Sequence, residues 1–302
     1  MLDLRVRNMT NRELEIFIAV AECGKMGAAA QKLYITQSSV SQSISSIEKE
    51  FGVRLFERIS HNLYLTDVGE TLLQYARSLS AVTKDMDAFL HSASGYRRLR
   101  VGATVTVGTC VIGSVLNTVK AEIPEIRLNV CVANTRLLED MLIKNEIDAA
   151  LVEGAVKHPD LVYTPVIKDR LVLICPPGHA FWGREAVRAE ELSSQSLILR
   201  ESGSGTRALF ESQMAAKGIP LDITWQCYNS EAIKNAVIAG HGVSVISQRL
   251  VENELKSGAL CACGVEGIEL ERYFSIVHHK NKLITKEIEC FIDACTAMGC
   301  SS

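Results

Sequence analysis

The run TQSSVSQSISSIEKEFGVRLFER, Thr36 to Arg58, decides the architecture of the first quarter of the chain. Thr36 is placed as an N-cap, and Val40, Ile44, Ile47 and Phe51 recur at helical spacing, so one face turns inward until Gly52 ends the helix. The opposite face carries Ser38, Gln42, Ser45 and Lys49, all able to hydrogen-bond. Upstream, FIAVAECGKMGAAAQKL, Phe17 to Leu33, holds two more helical segments. Leu14, Phe17, Ile18 and Ala21 form the apolar stripe of the first, which Gly24 stops, and an alanine-rich second helix covers roughly Met26 to Leu33. Tyr34 and Ile35 make a tight turn before the third. Two short helices joined this way set the second into a DNA major groove while the first braces it. Gln37, Ser38, Ser39, Ser41 and Gln42 are therefore candidate DNA contacts. Glutamine bonds adenine N6 and N7 together, and serine bonds most base edges or a phosphate.

Downstream, Arg54 to Leu65 reads as a hairpin with Ser60-His61-Asn62 at its tip, and Thr66 caps a long helix. On that helix Val68, Leu72, Tyr75, Leu79, Val82, Met86 and Phe89 fall at 4-3-4-3-4-3 spacing, a heptad seam of about three repeats. Such a stripe must be buried. A self-associated dimer helix, antiparallel or crossed, is expected, with packing on its own domain as the alternative. Ser92 to Arg98 reads as a polar linker.

Beyond the linker, strands are expected at Leu99–Val101, Arg127–Val132, Ala149–Val152, Leu171–Cys175, Leu197–Leu199, Ile223–Tyr228, Val243–Ile246 and Tyr273–Val277. Helices fit between them, near Val107–Lys120, Arg136–Lys144, Thr206–Lys217 and Ser230–Ala239. This alternation implies α/β architecture with largely parallel strands, as one sheet or two lobes.

One motif there suggests ligand chemistry. In Leu197-Ile-Leu-Arg-Glu-Ser-Gly-Ser-Gly-Thr-Arg207 an apolar strand runs into a glycine-rich loop and then a helix. A helix N-terminus presents free N–H groups and a positive dipole end, which suits an anion. Ser202, Gly203, Ser204, Gly205 and Thr206 line the loop, and Arg207 adds a fork for a carboxylate, phosphate or sulfur oxyanion. A tight turn with a helix cap is the plainer reading. The phosphate-loop pattern G-x-x-x-x-G-K-[ST] is absent. Thr104 and Thr106 follow the first strand, Glu153 ends another, and Asn229 follows a third, all at positions where open α/β sheets bind ligands.

The segment Phe17 to Ala76 resembles the LysR-type transcription regulators. The matching residues are the A-V-A-E beginning at Ala19, Ala29-Ala30, Gln37-Ser38-x-Val40-Ser41, Leu55-Phe56-x-Arg58, Leu65-Thr66, Gly69 and Leu72-Leu73. The resemblance implies a winged helix-turn-helix over 1–66, a dimerising linker helix over 67–92 and an effector-binding domain over 93–302. That last domain would be two-lobed and periplasmic-binding-protein-like, with lobe I at about 97–164 and 269–302 and lobe II at about 165–268. An effector cleft at the interlobe hinge would include Thr104 and Thr106. Operator DNA, a homodimer that pairs into a homotetramer, and RNA polymerase are the partners it implies. The G-S-G-T-R loop is similar to that of sulfur-assimilation and carbon-fixation regulators, which points to oxyanions or phosphorylated metabolites.

The chain departs from the family pattern at Lys25-Met26-Gly27-Ala28, where Ser/Thr and an Arg are usual, and at His61, Asn62 and Tyr64, where the wing is usually basic. Met1 to Thr66 carries eight Lys/Arg against seven Asp/Glu, a net of +1. Phosphate neutralisation supplies most non-specific affinity, so weak binding by a single domain is expected, offset by multivalency. Lys25, Lys32 and Arg58 are the expected phosphate contacts, Arg58 having the minor groove as its alternative. Lys49 and Arg54 fit a solvated face equally well.

Other functions find little support. The 302 residues carry a net charge of −3 and hold no apolar run of the roughly 18–20 residues a bilayer needs, and Met1 to Thr10 lacks signal-peptide features, so a cytoplasmic protein is expected. No catalytic constellation or cofactor motif accompanies the G-S-G-T-R loop. The alternative is a cytoplasmic small-molecule-binding protein without regulatory DNA readout. His278 and His279 would point to opposite faces of a strand and cannot readily chelate one metal ion. The ten cysteines include no C-x-x-C, and Cys110, Cys131, Cys175 and Cys227 lie in apolar runs, as reduced buried thiols do. A thiol redox sensor would need two close cysteines, and the stretch between Cys175 and Cys227 holds none.

Overall fold

The computed structural model describes residues 9–59, 62–91, 97–154, 156 and 158–300, in two compact units, Met1–Gly95 and Tyr96–Ser302. The hairpin tip at Ser60 and His61, most of the expected linker and the side chain of Phe89 lie outside the described residues.

In the first unit, α1 (Asn11–Cys23) starts at a reciprocal cap: Thr10 Oγ1 accepts from Glu13 N, and the Glu13 carboxylate accepts from Thr10 N. Gly24 stops it in the left-handed conformation at φ 62°. After α2 (Met26–Lys32) comes α3 (Gln37–Phe51), whose cap Thr36 accepts from Ser39 N at 3.2 Å. Strands β1 (Phe56–Ile59) and β2 (Asn62–Leu65) pair antiparallel as the wing. Thr66 then caps α4 (Asp67–His91), accepting from Gly69 N at 3.1 Å. A Cβ on Gly69 would sit 2.2 Å from the Leu55 carbonyl oxygen, so only glycine lets α4 start this close to the wing.

Phe17, Val20, Ala29, Val40, Ile44 and Leu55 form the core of this unit, closed by Leu73 and Ala76 of α4. Two details of the helical reading shift. Ile16, Ala19 and Val20 are buried while Ile18 and Ala21 are half-buried, because α1 packs against α2, α3 and α4 and needs a face wider than one stripe. Phe51 is 47% exposed, its turn having run past the core.

The second unit is built of β3 (Arg98–Thr104), α5 (Val105–Cys110), α6 (Ile112–Glu122), β4 (Arg127–Ala133), α7 (Thr135–Ile143), β5 (Ala149–Glu153), β6 (Leu161–Cys175), β7 (Ala186–Arg188) and β8 (Leu197–Arg200). It continues through α8 (Gly205–Ala216), β9 (Ile223–Cys227), α9 (Ser230–Ile238), β10 (Ser244–Ser247), α10 (Glu252–Ser257), β11 (Cys261–Glu266), β12 (Glu271–His279) and α11 (Lys286–Cys300). The strands are not largely parallel. β3 pairs parallel with β4 and β5, β8 with β9 and β11 with β7, but β12 runs antiparallel to β5 and β6, and both β10 and β11 run antiparallel to β6.

The antiparallel pairs arise because β6 spans both lobes while β11 and β12 return alongside it. Lobe I packs β3, β5, β12 and α6 with α11 around Val101, Val115, Leu151, Phe274 and Phe291. Lobe II packs β6, β8, β10 and α8 around Leu173, Leu199, Phe210, Met214 and Val245. Each buried Phe or Leu contributes roughly 1.5–3 kcal/mol through area removed from water, so each lobe has a core of its own. The helix expected at Val107–Lys120 breaks at Val111 into α5 and α6, and β7, α10, β11, α11 and the first half of β6 are elements the sequence reading did not anticipate.

The ten cysteines are free thiols. The register of β11 on β6 sets Cys261 opposite Cys175. Burial pushes the Cys175 thiol up to about 12 and Cys263 up to about 11, which suppresses the reactive thiolate.

Candidate functional site

The first site is the exposed end of α3. Gln37, Ser38, Ser39 and Gln42 are exposed and Ser41 is half-exposed, while Val40 and Ile44 on the other face are buried. Hydroxyls of Ser38 and Ser39 lie 2.9 and 2.8 Å from Thr36 Oγ1, so the cap and the exposed face share one hydrogen-bonded group. The Gln37 amide lies over Gly27, its Oε1 3.4 Å from where a Cβ on that glycine would be. Lys25 is exposed at the start of α2, and Arg58 is exposed on β1. Lys32 is exposed too, but its ammonium bonds Glu22 at 2.7 Å, which raises its pKa and spends its charge within the chain.

On α4 the seam residues Val68, Tyr75, Leu79, Val82 and Met86 are 47–60% exposed, and Leu72 is half-buried. The helix turns Leu73 and Ala76 to its own domain instead. Leu72 packs on that core, but packing on its own domain does not account for Val68, Tyr75, Leu79, Val82 and Met86.

The second site is the junction of the two lobes. Glu153, at the end of β5, is 1% exposed and accepts from Arg272 Nη2 at 2.9 Å and Thr206 Oγ1 at 3.3 Å. Its backbone N–H donates to Thr104 Oγ1, and its carbonyl accepts from Thr135 Oγ1. Arg272, on β12, is the hub: it also donates to Asp169 Oδ2 on β6 at 2.8 Å and to Thr206 Oγ1 at 2.9 Å. Ser247 Oγ donates to the second Asp169 oxygen at 2.7 Å. Beside this group Arg200 holds Glu201 through two bonds of 2.8 and 2.9 Å, and Asn134 Nδ2 donates to the same carboxylate. Buried charges persist only when paired and hydrogen-bonded, and these are both.

The backbones meet at the same place. A Cβ on Gly205 would fall 2.2 Å from the Glu153 carbonyl oxygen, and one on Gly154, at φ 88°, 2.8 Å from Gly205 Cα. Lobe II thus seats the N-terminus of α8 directly on the end of β5.

Of the residues expected at this site, the fold brings together Thr104, Glu153, Gly205 and Thr206. Thr106 is buried in α5, and Ser204 is buried as the N-cap of α8. Gly203 packs on Arg136, and Ser202 is exposed. Asn229 caps α9, accepting from Ala232 N at 2.8 Å. Arg207 points away: it donates to Glu211, to Gln226 Oε1 and to the Arg200 carbonyl. Ser204 Oγ and Ser230 Oγ, at the starts of α8 and α9, are buried with no hydrogen-bond partner among the described residues. The sequence reading missed Arg272, Asp169, Arg200 and Glu201. Their signal was a charged residue inside an apolar strand run, as in Leu197-Ile-Leu-Arg200.

Two family models match the chain: the bacterial regulatory helix-turn-helix protein, lysR family, over residues 11–70, and the LysR substrate binding domain over residues 93–299. The transcriptional activator CmpR of Synechocystis is 28% identical over 290 residues, covering 95% of each chain. The regulatory domain of Synechocystis CcmR in complex with 2-PG superposes with a TM-score of 0.62 at 25% identity, over 67% of this chain and 97% of that one. Full-length CbnR complexed with its target DNA gives a TM-score of 0.55 at 20% identity, over 96% of this chain and all of that one, a likeness of fold. Among the described residues no helix is long and apolar enough to cross a membrane. With a helix-turn-helix whose polar face is open and a two-lobed domain following it in sequence, the chain belongs to the LysR family of DNA-binding transcription regulators that carry an effector-binding domain.

Proposed function

We propose that a small anion, held where β8 and β9 hand over to α8 and α9, controls operator binding by this regulator. The observation that carries the reading is the pair of buried hydroxyls of Ser204 and Ser230, which have no hydrogen-bond partner among the described residues. Each belongs to the start of a helix that follows a strand, and Ser204 makes no side-chain bond to its own helix end. The first-turn N–H groups and the dipole of α8 add to these donors. An oxyanion, carboxylate or phosphate group offers acceptors of the right kind. Because Glu153 already takes Thr206 and Arg272, and Arg207 is turned to Gln226, the anion is read by serines and backbone N–H groups rather than by an arginine fork. A ligand there shifts the lobes only by binding one arrangement better than another. Gln37, Ser38, Ser39, Ser41 and Gln42 read the operator, Lys25 and Arg58 lie along its phosphates while Lys32 stays with Glu22, and the α4 stripe joins two copies.

Thermal unfolding of the full chain in phosphate, sulfate or citrate, against chloride at matched ionic strength, tests this. The wild-type midpoint rises with one of these anions, by the equivalent of about 2.7 kcal/mol at a hundredfold excess over Kd, and Ser204→Ala and Ser230→Ala lose the rise. An equal rise in all three proteins is a solvent effect, and that result, or no rise at all, removes the anion site.

A further inference from the structure

Tyr34 sits in the turn between α2 and α3 with φ 57° and is 96% exposed. A bulky residue in the left-handed region is an outlier. Among the described residues the only other non-glycine with positive φ is Asn145, a type that tolerates it. The conformation is imposed by hydrogen bonds from Tyr34 N to the Gln31 carbonyl and from Ile35 N to the Ala30 carbonyl, at 3.2 and 3.0 Å. Elsewhere this chain meets the same backbone demand with glycine: Gly24, Gly52 and Gly258 end α1, α3 and α10 in the left-handed conformation. At this turn it keeps an aromatic ring that packs on nothing, and strain of this kind gathers at functional positions.

The place is informative as well. Tyr34 stands two residues before the cap Thr36 and three before Gln37, at the end of α3 that enters the major groove. Positive charge nearby is scarce: Met1 to Thr66 nets +1, and Lys32 at the end of α2 is taken by Glu22. Neutral donors must therefore share the work of holding phosphates, and tyrosine is among the side chains that do so. We propose that Tyr34 is a DNA-backbone contact, its phenol hydroxyl donating to a phosphodiester oxygen at the edge of the groove and its ring lying against the adjoining deoxyribose.

The test compares wild-type full chain with Tyr34→Phe, which loses only the hydroxyl, and Tyr34→Asn, which loses the ring but accepts the backbone. Binding is followed by fluorescence anisotropy on a duplex enriched by selection on the wild-type protein, and on its scrambled sequence, over a range of salt. Affinity for both duplexes falls by roughly tenfold in Tyr34→Asn and by a smaller factor in Tyr34→Phe. The slope of log K against log salt stays unchanged, because a neutral donor releases no counterion. Unfolding midpoints of the variants equal or exceed the wild type. Unchanged affinity in Tyr34→Asn overturns the proposal, and so does a loss confined to the selected duplex, which would mean base readout. A lowered midpoint accompanying the lost affinity overturns it too, since the ring would then be serving the fold.

Discussion

Asp148 shows how single residues anchor the second unit. Its carboxylate accepts from Arg100 N, Nε and Nη2 and from Lys282 Nζ, at 2.6–3.2 Å. Burial favours its neutral acid, but the bonds and charges of Arg100 and Lys282 outweigh that and hold the pKa below the usual carboxylate range. A depressed native pKa contributes stability that is full above the unfolded value of about 3.9 and is lost as pH falls through the native one. Asp148→Asn is expected to cost about 3 kcal/mol at neutral pH, and urea unfolding should show the gap to wild type closing below about pH 4. A gap as wide in acid as at neutral pH would discount the ion network. At this scale the sequence was half legible. Glu153, Thr104 and Thr206 were named from their places after strands. Arg272 and Asp169 were not, because a contact such as that from Arg272 to Glu153 spans 119 positions and leaves no local pattern.

Elements were easier to read where burial is regular. β5 is buried at every position and β8 likewise, so their apolar runs announced them. The first half of β6 is mostly exposed and contains Pro165, and β7 has three residues, so neither carries a period to detect. α11 is different: Ile288, Phe291 and Cys295 are buried at helical spacing, a period the sequence itself carries. On α4 the sequence period and the structure agree, since the stripe is there and its own domain covers Leu72 but leaves Val68, Tyr75, Leu79, Val82 and Met86 exposed. Replacing Leu79 and Val82 together with Asp places like charges along that seam, and sedimentation velocity should find monomers where wild type gives dimers or larger. Retained association at micromolar concentration would move the interface off α4.

At the scale of the molecule, the two family matches account for both units, while the charged group at the lobe junction is visible only once β5, β6, β12 and α8 are assembled. Gly205 tests how far that junction governs response. Gly205→Ala forces a methyl group to within 2.2 Å of the Glu153 carbonyl oxygen, so α8 must withdraw from β5. The expected outcome is loss of the anion-dependent rise in unfolding midpoint, with DNA affinity in the absence of anion still measurable by anisotropy. A variant that keeps the full rise would show that the lobes absorb the methyl without separating.

That contact also bears on descent. Glycine and alanine codons differ by a single base, so one transversion at Gly205 is enough to wedge the lobes apart while leaving the DNA-reading surface intact. On the proposed reading, such a chain stands one mutation from a regulator that keeps its DNA-reading face but no longer answers a ligand at the lobe junction.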